Sequence, residues 1–227
     1  MYYRTSKVVG VSEAISKIED GSSIMVGGFG QAGCPWTLID ALVEHGARQL
    51  TIMSNDLGSP GVGLGRLLTN KQVEKVIGTY YNWNPEVAEA YNRGQLEVEL
   101  VPQGTFAERI RAAGAGLGGF YTPASVGTEL ARGKEVRSIG DADYVLEYPL
   151  KADVALIRCH RADTLGNAVY RKTARNFNPL MAMAAGYVIA EADVIVGVGE
   201  IDPEIVVTPQ IFVDAVVQGR GNIAETR

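Results

Sequence analysis

Short apolar runs that alternate with amphipathic, helix-like segments are the feature that most limits what this chain can fold into. Six such runs stand out, at residues 23–26, 50–54, 73–79, 96–101, 154–158 and 187–198, the last in two pieces. Near-continuous apolar strands separated by helices are typical of βαβ units, whose parallel strands are covered by helices on both faces. The sequence therefore predicts the α/β class, with a largely parallel sheet.

The first strong helix signal begins at Pro35. Apolar residues recur at helical spacing after it, proline suits a first turn, and Gly46 suits the residue that follows a last turn. Further along, segments 136–139 and 144–146 flank a turn of Gly and Asp residues and predict a β-hairpin, so the sheet is expected to be mixed. Residues 114–128 hold five glycines and one proline, which predicts a long loop.

The net charge and the apolar segments of the chain limit which partners it can bind. Acidic residues number 26 against 21 basic ones, and the net charge of −5 disfavours binding to nucleic acid. The N-terminus lacks the apolar core of a signal peptide, and the longest apolar stretch, 180–190, is about half of the ~20 residues that span a membrane. We therefore expect the chain to bind neither nucleic acid nor a membrane. Two cysteines that lie far apart in the sequence favour a cytoplasmic location. One domain is expected over 1–217, with a frayed tail over 218–227.

A glycine-rich segment, 27–33, follows the first strand and leads into the first helix. Backbone N–H groups at such a turn can bind an anion, which makes this segment the best candidate binding site. Residues 28–33 also have the G-x-G-x-x-G spacing of dinucleotide-binding folds, with Asp56 near the place of a ribose-binding acid. However, Cys34 and Pro35 intervene before the helix. Two interpretations stay open: an NAD site, or glycines that only form a tight turn.

The residues around this loop belong to a longer pattern. Residues 20–35 read Asp-Gly-Ser-Ser-Ile-Met-Val-Gly-Gly-Phe-Gly-Gln-Ala-Gly-Cys-Pro, and further segments follow in order at 54–56, 101–105, 108–111, 114–119 and 174–179. Together they resemble the class I coenzyme A transferases, in the form of the separate α subunit of the bacterial acetate/acetoacetate (3-oxoacid) enzymes. The resemblance implies the CoA-transferase (NagB/RpiA-like) fold, an α2β2 assembly with a β subunit, and coenzyme A as co-substrate. It implies no permanently bound cofactor and no metal.

The resemblance also implies a reaction, in which coenzyme A moves between carboxylic acids through a covalent glutamyl-CoA intermediate. It places the nucleophilic glutamate in a Ser-Glu-Asn-Gly segment of the β subunit, and this chain contains no such segment. The chain is therefore expected to be catalytic only with its β subunit, on acids of the acetate, acetoacetate or butyrate type. Four glutamates could be mistaken for the nucleophile, and we expect ordinary structural or solvated roles for them: Glu108, Glu147, Glu191 and Glu200.

The resemblance assigns Gln103 to the oxyanion hole. An amide N–H can stabilise the charge of a tetrahedral intermediate, and Pro102 and Gly104 are predicted to hold Gln103 in a type I turn at the end of a strand. Contacts with substrate or coenzyme A are expected for Gly27, Gly28, Phe29, Gly30, Asn55 and Gly104. Two of these stay open, because Asn55 could instead close its strand as an Asx-turn and Phe29 could belong to the core.

Three further residues bear on specificity and reactivity. Trp36 and Trp83 stand where this family usually has smaller residues, so they could reshape an acyl pocket, and the acid cannot be ranked from this chain. Cys34, near a helix start, is an alternative reactive thiol. Two other functions also stay open: an NAD-dependent oxidoreductase that uses residues 28–33, and a non-catalytic coenzyme A-binding subunit.

Overall fold

A computed structural model describes residues 6–220. The strands of this region are β1 (Ser23–Val26), β2 (Leu50–Met53), β3 (Val73–Gly78), β4 (Glu97–Leu100), β5 (Phe120–Thr122), β6 (Val136–Ile139), β7 (Ala142–Glu147), β8 (Ala152–Asp163), β9 (Ala168–Val169), β10 (Ala185–Val196) and β11 (Ala215–Gln218). The main sheet has the order β11-β10-β8-β1-β2-β3-β4, and all of these neighbours are parallel. β9 pairs antiparallel with β8. The α/β class and the largely parallel sheet are confirmed.

Helices cover both faces of this sheet. They are α1 (Val11–Ile15), α2 (Trp36–His45), α3 (Gly65–Thr69), α4 (Pro85–Asn92), α5 (Gln103–Gly114) and α6 (Asn178–Ala182). Successive strand residues point to opposite faces, so Ile24 lies in a core cluster with Leu38 of α2, whereas Met25 lies in a second cluster with Phe106 of α5. Helix α2 is capped by Gly46, whose φ of +81° is the left-handed conformation that favours glycine.

The neighbouring strands β8 and β10 differ from their apolar runs: β8 is longer than 154–158, and β10 is one continuous strand. They pair in parallel from Ala152 and Ala185 to Asp163 and Val196, so the prediction of two separate pieces over 187–198 is wrong. The misleading residue is Glu191, an acid inside an apolar run. It is buried and lies beside Arg158 of β8 in the register, so the strand continues through it.

A small second sheet of order β5-β7-β6 accounts for the predicted hairpin. The hairpin is confirmed, but it lies outside the main sheet. The main sheet is mixed as predicted, although through the antiparallel pairing of β9 with β8 and not through the hairpin. The prediction of an unbroken loop over 114–128 is wrong, because Gly114 ends α5 and 120–122 pair antiparallel with β7 as β5. This pairing joins segments more than twenty residues apart, which local composition does not reveal.

The C-terminal end of the described chain is tied to the sheet. Gln218 is the last residue of β11, and the N–H of Arg220 donates to Oγ1 of Thr37 at 3.1 Å. The expected tail over 218–227 therefore begins inside a strand, and 221–227 lie outside the described residues. Within 6–220, no helix is both long enough and apolar enough to cross a membrane.

Candidate active site

The loop 27–33 joins β1 to α2 at the carboxyl edge of the main sheet. Its first four N–H groups all have partners within the chain: Gly27 donates to Leu156 O (2.9 Å), Gly28 to Asn176 Oδ1 (3.1 Å), Phe29 to Ala32 O (3.0 Å) and Gly30 to Asp56 Oδ2 (2.8 Å). These groups cannot cradle a phosphate without losing those bonds. The carboxylate of Asp56 also places negative charge against the loop, so the anion site expected from the glycine spacing is not formed.

Packing explains two of the glycines. A methyl group on Gly27 would lie 1.8 Å from Oδ1 of Asn178, and one on Gly28 would lie 2.4 Å from Sγ of Cys34. Gly28 also has a φ of +127°, which side chains rarely adopt. Close packing of the loop on its neighbours therefore requires glycine at both positions.

Asp56, just beyond β2, holds the loop in place. Its carboxylate is buried and accepts hydrogen bonds from the N–H of Gly30 at 2.8 Å, the N–H of Gly58 at 3.0 Å and Nδ2 of Asn55 at 3.0 Å. The bond to Gly58 is an Asx-turn, so the turn considered for Asn55 is made by the next residue. Asp56 therefore points into its own chain, and the ribose contact of a dinucleotide site is not supported.

Asn55 is buried, and its amide is committed to protein partners. Its Oδ1 accepts from Oγ1 of Thr79 at 2.9 Å and from Nε2 of Gln103 at 2.8 Å, while its Nδ2 donates to Asp56. The geometry thus places Asn55 behind Gln103, as a group that orients it.

Gln103 is the first residue of α5, at the carboxyl end of β4. The predicted type I turn is wrong, because Pro102 is the N-cap of a twelve-residue helix whose apolar face buries Phe106 and Ile110. Gln103 and Gly104 are exposed, and a methyl group on Gly104 would meet nothing within 4 Å. The amide of Gln103 is therefore available at the sheet edge where ligands of open α/β sheets bind.

A cavity of about 380 Å³ opens beside the glycine loop. We call it the tryptophan cavity. Its lining includes the apolar side chains Trp36, Ile39, Val62, Leu64 and Trp83, together with Cys34, Asn55 and Asp56. Gly63 lets Trp36 approach, since a methyl group there would lie 2.7 Å from its Cζ3. The volume falls in the range of about 300–1,000 Å³ that is usual for small-molecule sites.

Aromatic residues lie at the surface near this cavity. Trp83 is 53% exposed and packs edge-to-face with Tyr80, with ring centroids 5.1 Å apart. Phe29 is 47% exposed, so its side chain does not belong to the core. Trp36 and Trp83, far apart in the sequence, thus line one cavity.

The arrangement of these residues can be compared with known proteins. Residues 8–219 match the family model described as Coenzyme A transferase, which is nearly the whole chain. The chain belongs to the coenzyme A transferase family. The resemblance noted in the sequence is thereby confirmed, and the NAD-dependent alternative is not favoured.

Curated relatives of this transferase carry the names of single subunits. The chain is 50% identical over 218 residues to the A subunit of 3-oxoadipate CoA-transferase from Pseudomonas putida, a match that covers 95% of this chain and 94% of the relative. It is also 50% identical over 207 residues to the A subunit of a probable succinyl-CoA:3-ketoacid coenzyme A transferase from Bacillus subtilis (strain 168), with 91% and 87% covered. These matches identify a CoA-transferase chain of the same subunit type.

A solved structure supports the fold of this transferase. An acyl-CoA transferase of Escherichia coli O157:H7, determined as a thioester complex with CoA, superposes with a TM-score of 0.82 at 21% identity. The match covers 94% of this chain and 47% of that chain, so this transferase spans about half the length of that protein. The CoA-transferase fold is confirmed.

The thiol of Cys34 lacks the properties of a reactive nucleophile. Burial, reinforced by the negative charge of Asp56, raises the pKa of Cys34 to about 12. Its Sγ lies 3.0 Å from the carbonyl oxygen of Gly30, to which it donates. A protonated, buried thiol is a poor nucleophile. The alternative of a reactive Cys34 is therefore not supported.

The four glutamates that could be mistaken for the nucleophile have partners within the chain. Glu108 pairs with Arg111 (2.7 Å), Glu147 with Lys134 (2.6 Å), Glu200 accepts from the N–H of Gly197 (3.2 Å), and Glu191 accepts from the N–H of Thr37 (2.9 Å). Among the residues that line the tryptophan cavity there is no glutamate. These contacts fit the structural or solvated roles that we expected.

Sequence reasoning missed how Glu191 anchors α2. Its Oε2 accepts from the N–H groups of Thr37 at 2.9 Å and Leu38 at 3.2 Å, in the first turn of that helix. Burial raises the pKa of Glu191 to about 7, although the two N–H groups and the charge of Arg158 oppose this shift. The available signal was an acid flanked by alanines inside an apolar strand. Over 6–220, no cluster of His, Cys, Asp and Glu could hold a metal ion.

Proposed function

We propose that this chain is the α subunit of a heteromeric CoA-transferase. The enzyme would move coenzyme A between a short-chain acyl-CoA or 3-oxoacyl-CoA and a carboxylic acid of the acetate, acetoacetate or butyrate type. The names of the two relatives support a partner subunit, and both names include 3-oxo acids. An α2β2 assembly is the form we propose. Two free, buried cysteines fit a reducing cytoplasm.

The position of Gln103 carries this proposal. Its Nε2 bears two hydrogens, and one of them is donated to Asn55. The second N–H has no partner among the described residues, and the side chain is exposed at the carboxyl edge of the sheet. An amide N–H held in this way can stabilise a developing oxyanion without a proton transfer, as an oxyanion hole requires.

The chemistry we propose divides the exchange into acyl transfers. A glutamate carboxylate on the partner chain attacks the thioester carbonyl, which gives an acyl-glutamyl anhydride and releases the CoA thiolate. The thiolate then attacks the glutamyl carbonyl, so that the first acid leaves as its carboxylate and glutamyl-CoA remains. A second acid takes the coenzyme A by the reverse steps. Each attack passes through a tetrahedral oxyanion, for which Gln103 supplies an N–H.

The partner experiment tests this proposal. The tagged chain is purified from its source cells, the co-purifying chain is identified, and CoA exchange between acetoacetyl-CoA and acetate is assayed for the complex and for the isolated chain. We expect activity only for the complex, with coenzyme A attached to a glutamate of the partner in mass spectra after acyl-CoA is added. Exchange by the isolated chain would place the nucleophile within these 227 residues and refute the proposal.

The purified chain and its complex also test the two alternative functions, the NAD-dependent oxidoreductase and the non-catalytic coenzyme A-binding subunit. Saturable binding of NAD by the isolated chain would support the oxidoreductase, although the loop N–H groups are already bonded. A non-catalytic coenzyme A-binding subunit predicts full exchange activity by the complex when the amide of Gln103 is removed.

A further inference from the structure

The tryptophan cavity has the properties of a site for an uncharged acyl tail. Its walls include Trp36 and Trp83, and the deeper residues Ile39 and Leu64 are almost fully buried, at 1% and 7% exposure. Asn55 lines the cavity and also accepts the hydrogen bond of Gln103. An acyl group whose carbonyl oxygen lies at Gln103 therefore has the cavity within reach of its tail.

The charge inside the cavity is negative. Asp56 is its only ionisable carboxylate, and no lysine, arginine or histidine lines it among the described residues. Arg158, which is not among the lining residues, donates to the carbonyl oxygen of Cys34 at 3.4 Å and forms an ion pair with Asp193 at 2.6 Å. A second carboxylate in this cavity would lose its hydration, would meet Asp56 and would find no cation.

The backbone donors of the loop are not free for a polar ligand. The N–H groups of Gly28 and Gly30, which could have bound amides of the pantetheine arm, already donate to Asn176 and Asp56. The polar side chains of the lining include three that carry no charge, Gln31, Ser54 and Ser59. Apolar carbon meets no such penalty, and removing it from water is favourable. The cavity therefore suits a hydrocarbon tail better than pantetheine.

We propose that the tryptophan cavity binds the hydrocarbon tail of a monocarboxylic acyl group, so that the enzyme selects acids without a second carboxylate. This inference rests on the proposed function and names its substrate class. It sets this chain apart from the 3-oxoadipate transferase that it resembles, whose named substrate has two carboxylates. Selection comes from the uncharged walls and from the carboxylate of Asp56.

The test compares acceptor acids with the assembled complex. The ratio kcat/KM is measured for butyrate, hexanoate, succinate and 3-oxoadipate, with acetoacetyl-CoA as donor. We expect the two monocarboxylic acids to exceed the two dicarboxylic acids by roughly tenfold or more. Equal or reversed values would overturn this inference and leave the transferase function standing. Failure of every acid in the presence of the partner would overturn the proposed function itself.

Two variants locate the selection in this cavity. Val62 lines it and is 47% exposed, so Val62→Arg adds a cation there and should shift the succinate-to-hexanoate ratio roughly tenfold towards succinate. Ile211→Arg is the matched control, because Ile211 is 77% exposed and does not line the cavity. Trp36→Leu enlarges the cavity and should favour hexanoate over butyrate. The proposal would be overturned if Val62→Arg left the succinate-to-hexanoate ratio unchanged and Trp36→Leu left the hexanoate-to-butyrate ratio unchanged.

Discussion

Gln103 and Asn55 are joined by a hydrogen bond of 2.8 Å that runs from Nε2 of the glutamine to Oδ1 of the asparagine. The orientation of both amides follows from Asp56. Its carboxylate can only accept, so it takes a hydrogen bond from Nδ2 of Asn55 at 3.0 Å and leaves Oδ1 facing Gln103. Gln103 must then present its NH2 group. A buried acid thus determines which end of this exposed amide faces Asn55.

Replacing Gln103 tests whether this amide is catalytic. Gln103→Ala should lower kcat of CoA exchange by about 10²–10³, the cost of losing one oxyanion-hole donor, and leave KM little changed. The measurement is steady-state exchange by the variant in complex with its partner. Gln95→Ala is the matched control, since Gln95 is also exposed and belongs to the turn before β4. Unchanged turnover in Gln103→Ala would favour the non-catalytic coenzyme A-binding subunit.

Replacing Asp56 should affect stability as well as activity. Asp56→Ala leaves three donors, the N–H groups of Gly30 and Gly58 and Nδ2 of Asn55, without their acceptor. An unsatisfied buried group costs about 1–3 kcal/mol, and Gly30 and Gly58 are only half-buried, so we expect the free energy of unfolding to fall by ~2–4 kcal/mol. Urea unfolding of the isolated chain measures this loss.

The control for Asp56 is an acid on the surface. Asp141, in the turn of the β6–β7 hairpin, is exposed, and Asp141→Ala should change the free energy of unfolding by about 0.5 kcal/mol or less. A similarly small loss in Asp56→Ala would mean that the loop 27–33 holds its shape without the acid.

The strands that the sequence predicts well are those whose signal is local. Segment 23–26 has the same bounds as β1, and α2 follows the helical spacing after Pro35. Pairing between distant segments carries no such signal. β5 forms because 120–122 align with β7, and the polar residue Glu191 stays in β10 because Arg158 and the start of α2 surround it.

The candidate site was only partly predictable because its contacts are also long-range. The resemblance pointed to Gln103, Asn55 and the glycines, but the bonds among Asp56, Asn55 and Gln103 link β2 to α5 over 48 positions of chain. The glycine spacing also predicted that the loop N–H groups would be free to bind an anion, which is wrong. Their partners, such as Asn176 and Leu156, lie more than a hundred residues away.

The buried acid Glu191 should make stability depend on pH. Its pKa is about 7 in the folded chain against an ordinary value of 4.5, because burial disfavours its charge. Between these values the folded state holds a proton that the unfolded chain has released. Raising the pH through this window should therefore lower the free energy of unfolding by up to about 3 kcal/mol from this group.

Glu191→Gln removes that titration. Its free energy of unfolding, relative to the unmodified chain, should rise from about pH 5 to about pH 7 and then level off. Urea unfolding at several pH values gives the difference, and Glu74→Gln, which removes an exposed charge, is the control. Parallel stability curves for Glu191→Gln and the unmodified chain would show that burial does not perturb this acid.

Replacing Gly104 tests fold stability and substrate contact as two separate measurements. It lies in the first turn of α5, and an added methyl group meets nothing within 4 Å, so Gly104→Ala should stabilise the fold by roughly 0.5–1 kcal/mol. If substrate approaches the backbone beside Gln103, the same methyl group should lower kcat/KM of the complex. Gly118→Ala, which also adds a methyl group in open space but lies outside α5, should leave kcat/KM unchanged. A more stable Gly104→Ala enzyme with full activity would remove Gly104 from the substrate contacts, and Gln103 would then act through its side chain alone.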